Sequence, residues 1–153
     1  VQKSIYGILS FILIIIALSA SAGLTEKETK MTATGSFDVK MEPQKDTDAP
    51  AGRMLIRKEY SGDLVGSGIG QMLSKRTSGG AAAYSAVEEF SGSVVGKKGS
   101  FTLIHNGFMT PDTQKLEVYV LPGSGSGELT SISGNLEIIQ ENGGHKYVFN
   151  YEL

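Results

Sequence analysis

Tyr84, Glu88 and His105 are the residues of this chain whose types and spacing could do acid–base chemistry. The first two stand in AAYSAVEEF from Ala82, the third in SFTLIHNGF from Ser100, and Gly96-Lys97-Lys98-Gly99 lies between them. A hairpin with Lys97-Lys98 as its loop sets Val94 opposite Phe101, Gly92 opposite Leu103 and Phe90 opposite His105. Glu88 then shares that apolar face, diagonal to His105, with Tyr84 further along it. A carboxylate, an imidazole and a phenol would converge in an apolar enclosure. Burial there raises a carboxyl pKa, and an ionised Glu88 favours protonated His105, as proton transfer requires. The structural alternative is that the three satisfy one another or lie at a solvated mouth. A one-residue slip in the loop would exchange the faces and bring Glu89 to His105 instead.

Other chemistries find little support. His105 and His145 are 40 residues apart with no ligand motif around either, so no metal site is expected, and His145 beside Gly143-Gly144 reads as exposed. Gly66-Ser67-Gly68-Ile69-Gly70 is not followed by a helical pattern, and PGSGSG at 122–127 lacks the Lys-Ser/Thr of a phosphate loop. GSGSG at 123–127 has Gly125 where a nucleophile elbow needs serine. No cofactor is implied.

The elements that must position these groups are strands. Ala33, Gly35, Phe37, Val39 and Met41 alternate with polar residues. Glu42 to Gly52, with two prolines and four charges, reads as a loop. Strands follow over 54–62, 64–75, 82–95, 100–108, 115–121, 136–140 and 146–153, with Gly62-Asp63 as a bend or a tight connection. PGSGSG reads as a loop with no low-cost helical state, and Glu141-Asn142-Gly143-Gly144 as the turn of the last hairpin.

A tripeptide recurs along this frame: Ser61-Gly62-Asp63, Ser91-Gly92-Ser93 and Ser133-Gly134-Asn135, each followed by an aliphatic residue. The first two copies extend as EYSGDLVGSG and EFSGSVVGKKG, 30 residues apart. About eight strands joined by tight turns predict an all-β fold, a single antiparallel β-barrel, with a two-sheet sandwich as the alternative. Tyr147, Phe149 and Tyr151 share one face of the last strand with Leu153 and either line a cavity or plug the core. Small residues on the central strands (Gly66, Gly68, Gly70, Ala82, Ala86, Gly92) favour spare volume inside.

Before the barrel, Lys3, an apolar run over 8–18 and Ala20-Ser21-Ala22 have the form of a signal peptide over 1–22; an uncleaved anchor is the rival. Residues 23–31 read as a flexible leader and 32–153 as one domain. Cleavage removes one lysine and no acid, moving the formal charge from −2 to −3, which gives no basic field for nucleic acid or anionic lipid. With no cysteine, the exported domain folds without disulfides.

ATGSFDVK from Ala33, YSGDLVGSG from Tyr60, EEFSGSVVGKKGSFTLIHNG from Glu88, VLPGSGSGELTSISG from Val120 and YVFNYEL from Tyr147 resemble the bacterial domain-of-unknown-function family numbered 3224. The resemblance implies a barrel similar to that of plant allene oxide cyclases, enclosing an apolar cavity, and it implies no reaction. The chain has Lys40-Met41 where an aromatic tends to follow the first strand of that family. Three functions are therefore in competition. The first is a secreted or periplasmic binding barrel for a small apolar or amphipathic ligand, lined by Tyr84, Glu88, Phe90, Phe101, Leu103, His105, Tyr147, Phe149 and Tyr151. The second is an isomerase or cyclase using Glu88 and His105, and the third a filled interaction barrel.

Overall fold

The computed structural model describes residues 29–153; the signal peptide expected over 1–22 and residues 23–28 of the expected leader lie outside the described residues. Eight strands run in chain order: β1 (Met31–Gln44), β2 (Gly52–Gly62), β3 (Leu64–Arg76), β4 (Ala82–Val94), β5 (Lys97–Met109), β6 (Gln114–Val120), β7 (Ser133–Glu141) and β8 (Gly144–Glu152). Each pairs antiparallel with the next, and β8 returns to β1, so the sheet closes. Closure selects the barrel over the two-sheet sandwich and leaves no sheet edge to cover. β1 begins at Met31 and runs through Pro43 to Gln44, so the strand starts sooner and the loop after it later than alternation suggests.

Two turns decide what faces inward. β2 and β3 are joined by Asp63 alone, a tight connection made possible by Gly62 at φ 105°. Asp63 exchanges backbone and side-chain hydrogen bonds with Thr34 of β1, and its carbonyl accepts from Val95 N–H at 2.7 Å. The first Ser-Gly-Asp is thus a corner that ties β1 and the β4–β5 turn to the β2–β3 connection. The β4–β5 turn corrects the expected hairpin. Its loop is Val95-Gly96, at φ 47° and 82°, and not Lys97-Lys98. Phe90 faces Phe101, Glu88 faces Leu103, and Ala86 faces His105. The shift is an even number of residues, so every side chain keeps its face.

The barrel is packed at one end and open at the other. At the packed end Leu64, Val94, Phe101, Leu103, Leu136 and Phe149 are buried together, and the β6–β7 connection folds over them with Leu129 and Ile132. Part of that connection is a single 3-10 turn, Gly127–Leu129, which starts at the last residue of PGSGSG; residues 122–126 are loop, as the sequence leads one to expect. Aromatic rings run on from this plug toward the middle, Tyr60 edge-on to Phe90 at 5.4 Å and Phe90 tilted on Phe101 at 4.9 Å.

Candidate functional site

Where the aromatic plug ends, a buried polar network crosses the barrel. It is built by the period of two. In β2, Met54, Ile56, Lys58 and Tyr60 all point inward, so a lysine from a charged stretch (Arg57-Lys58-Glu59) is forced inside by its neighbours' parity. In β4 the same rule brings in Tyr84, Ala86, Glu88 and Phe90, and in β5 it brings in Phe101, Leu103 and His105. Apart from the phenols of Tyr60, Tyr147 and Tyr151, the buried titratable groups of the described residues are Lys58, Glu88 and His105.

Their geometry is compact. Lys58 Nζ donates to Glu88 Oε2 at 2.6 Å, and Tyr60 Oη donates to Glu88 Oε1 at 2.8 Å. Lys58 Nζ also donates to Tyr60 Oη at 3.3 Å and lies 4.5 Å from the centre of the Phe37 ring. His105 Nε2 stands 3.0 Å from Glu88 Oε2, within ion-pair range, yet off the line a hydrogen bond needs, so this buried nitrogen has no directed partner. Gly68 of β3 makes the arrangement possible. A Cβ there would collide with Glu88 Oε1 and press on the Tyr60 ring.

The electrostatics depart from the expectation of a raised Glu88. Burial does push its carboxyl up, but the close His105 contact and the Lys58 ammonium outweigh burial and hold it at about 2. Burial, and then the Glu88 charge, push the Tyr60 phenol well above its ordinary value, so it stays a neutral donor. Glu88 is consequently a fixed carboxylate at neutral pH.

Above the network the barrel is hollow. An inner chamber of about 180 Å³ is walled by Val39, Ile56, Ala86, Leu116 and Ile138, with Lys58 and His105 at its floor. A funnel of about 300 Å³ continues it to the open end and shares Met41, Met72, Tyr84, Leu116 and Gln140 with the chamber. Four of the five methionines, Met41, Met54, Met72 and Met109, line these two spaces. Thioether side chains are unbranched and adaptable, suited to apolar surfaces that accept more than one shape.

Of the residues singled out from sequence, Glu88 and His105 come together as expected. Tyr84 lines the chamber without bonding to either, and Tyr60 takes the phenol's place at the carboxylate. Phe90, Phe101, Leu103, Tyr147, Phe149 and Tyr151 form the packed core and not the cavity wall. His145, expected at the surface, is half-buried, stacks on Phe37 at 5.0 Å and lines the chamber. Lys58 is the group the sequence reading missed, although the inward parity of Met54, Ile56 and Tyr60 signalled it. Among the described residues no three His, Cys, Asp or Glu side chains gather as metal ligands.

Comparison with known proteins agrees with this architecture. A family model described as a protein of unknown function, DUF3224, matches residues 33–151. A solved structure from the same family, a protein of unknown function from Shewanella oneidensis MR-1, is 40% identical, with a TM-score of 0.74 over 82% of this chain and 96% of that one. No curated protein matches the chain.

Proposed function

This chain belongs to the DUF3224 family, and we propose that it is an exported barrel that binds a small apolar or amphipathic molecule in its open half. The observation that carries the reading is the change of lining halfway along the barrel. One half is plugged with aromatic rings, whereas the other is an apolar-walled chamber with a charged network at its floor. A buried ion pair gives little net stability over a well-packed apolar replacement, because desolvation offsets the Coulomb attraction. Placing one at the base of a cavity fits the polar end of a ligand site better than it fits core packing.

An isomerase or cyclase working through Glu88 and His105 is less well supported. Glu88 is already neutralised by Lys58 and held at about 2, far below the range of an effective base at neutral pH. A filled interaction barrel describes only the closed half. Native mass spectrometry of protein purified from its own periplasm or medium tests the binding reading, and a co-purifying metabolite or lipid is expected. Export is tested on the same material, since cleavage after Ala22 puts Gly23 at the N-terminus. Ala86→Leu, which fills the chamber wall opposite His105, should release the ligand. A ligand-free native mass, with no small amphipath raising the melting temperature, would overturn the proposal.

A further inference from the structure

Charge inside the open half is one-sided. The charged or titratable groups of the chamber wall are Lys58, Tyr84, His105 and His145; the funnel above adds Arg76, while Lys115 at its edge is ion-paired with Glu117 at 2.8 Å, and Gln140 is shared between the two spaces. No aspartate or glutamate of the described residues contributes to either wall. Glu88 sits behind the floor with its side chain 1% exposed. The acids toward this end lie outside both walls: Glu42 stands beside Lys40 and Arg57, Asp46 is engaged by Arg53, Glu117 by Lys115 and Glu141 by Lys146, while Asp48 and Asp112 are exposed on loops.

Two donors at the floor are incompletely used. The Lys58 ammonium has three protons, and its hydrogen bonds go to Glu88 and Tyr60, which leaves one beside the Phe37 ring at the chamber. His105 is buried against the same chamber, its Nε2 3.0 Å from Glu88 Oε2 but without a well-directed hydrogen bond to it. A buried donor without an acceptor is costly, and a ligand oxygen would supply one. Once past the rim acids, a cationic head would meet like charge at Arg76 and again at Lys58. An anion would be drawn inward by the same groups and would sit nearer Lys58 than Glu88, because Lys58 lines the chamber and Glu88 does not. Size sets a further limit. The inner chamber of about 180 Å³ is smaller than the funnel of about 300 Å³ above it, so a longer body extends into the funnel.

We propose that the ligand is a small amphipathic carboxylate whose two head-group oxygens are met by Lys58 and His105, while its apolar body lies along Ile56, Met72 and Leu116 toward the open end. The inference rests on the binding reading above and specifies the head group of that same site.

Calorimetric titration of the full chain with sodium octanoate, 1-octanol and octylammonium chloride tests it. Octanoate should bind roughly tenfold or more tighter than octanol, since the alcohol leaves a floor donor unmet, and octylammonium should be weakest. Lys58→Arg should keep the preference for the carboxylate. The double variant Lys58→Met, Glu88→Gln removes both charges together and leaves no unpaired ion, and it should bring octanoate down to octanol. Octanol binding as tightly as octanoate, or octylammonium binding best, overturns the carboxylate assignment and leaves the binding reading standing. If none of the three binds, the carboxylate assignment falls, and the native mass of the purified protein decides the binding reading separately. The comparison of probes on the unaltered chain decides the matter even if the double variant does not fold.

Discussion

Glu88 is the residue on which the site's energetics turn. Its folded carboxyl is held at about 2, against an ordinary value of 4.5. A depressed folded pKa means the folded state binds fewer protons than the unfolded one, so this group stabilises the fold above pH 4.5 and loses its contribution as pH falls toward 2. The contribution lost over that window is on the order of 3 kcal/mol. Urea denaturation between pH 6 and pH 2.5 should show it, and Glu88→Gln should flatten that part of the profile. The same variant should lose about 3–5 kcal/mol at neutral pH, because Lys58 stays buried without its counter-charge. An unchanged acid limb in Glu88→Gln would mean the carboxylate is not held as described. Gly68 gives an independent check on the geometry. Gly68→Ala drives a methyl against Glu88 Oε1, and a cost of about 1–3 kcal/mol is expected together with a shift of the Tyr60 and His105 ring resonances. Rings that do not move would place the carboxylate elsewhere.

At the scale of the elements, the strands were legible in the alternation of β1, β4 and β5, because a half-buried strand writes its two faces directly into the sequence. The hairpin register was not. Val95 is a β-branched residue in the left-handed region at φ 47°, a conformation no propensity announces, whereas Gly96-Lys97-Lys98-Gly99 looked like an ordinary glycine-flanked loop. Glu88 and His105 still met, since an even shift in pairing keeps every face. Lys58 was obscured for a different reason: three successive charged residues read as solvated unless parity is followed through them. The turn supplies its own test. Val95 is 58% exposed and packs little, so Val95→Asn should relieve left-handed strain and raise stability by about 1 kcal/mol in urea denaturation. A fall would mean that the Val95 N–H bond to Asp63, or the side chain itself, matters more than backbone strain. The strand seams are also unequal. β4 and β5 share thirteen register pairs, β6 and β7 only Tyr119↔Asn135. Amide hydrogen exchange should therefore be fastest among the inner-sheet amides along β6 and β7, and slowest along β4 and β5. Uniform protection around the barrel would contradict a thin seam.

For the molecule as a whole, everything depends on the return of β8 to β1. β8 carries Tyr147, Phe149 and Tyr151, buried at 1%, 0% and 4% exposure, and pairs with β1 and β7 at once. Each such ring contributes ~1.5–3 kcal/mol on burial, so the three together approach the whole stability of an ordinary domain, about 5–15 kcal/mol. Removing residues 146–153 should abolish cooperative unfolding altogether, and a truncated chain that still melts at the original temperature would be incompatible with closure. Truncation alone does not show how closure reaches the site, and one hydroxyl does. Tyr147 Oη accepts from Leu64 N–H at 2.8 Å and donates to the Ser61 carbonyl at 3.2 Å, so β8 holds the β2–β3 corner. The Tyr147 ring also meets Tyr60 edge-on at 5.7 Å, and Tyr60 bonds Glu88. Tyr147→Phe keeps the ring and leaves the buried Leu64 N–H without an acceptor, which should cost about 1–3 kcal/mol. If the closing strand merely completes the packed half, the His105 resonances of Tyr147→Phe will match those of the unaltered protein. If the corner also sets the position of β2, and with it Lys58 and Tyr60, they will shift although the substituted hydroxyl touches no group of the network. The chain of contacts from Ser61 to Glu88 predicts the shift.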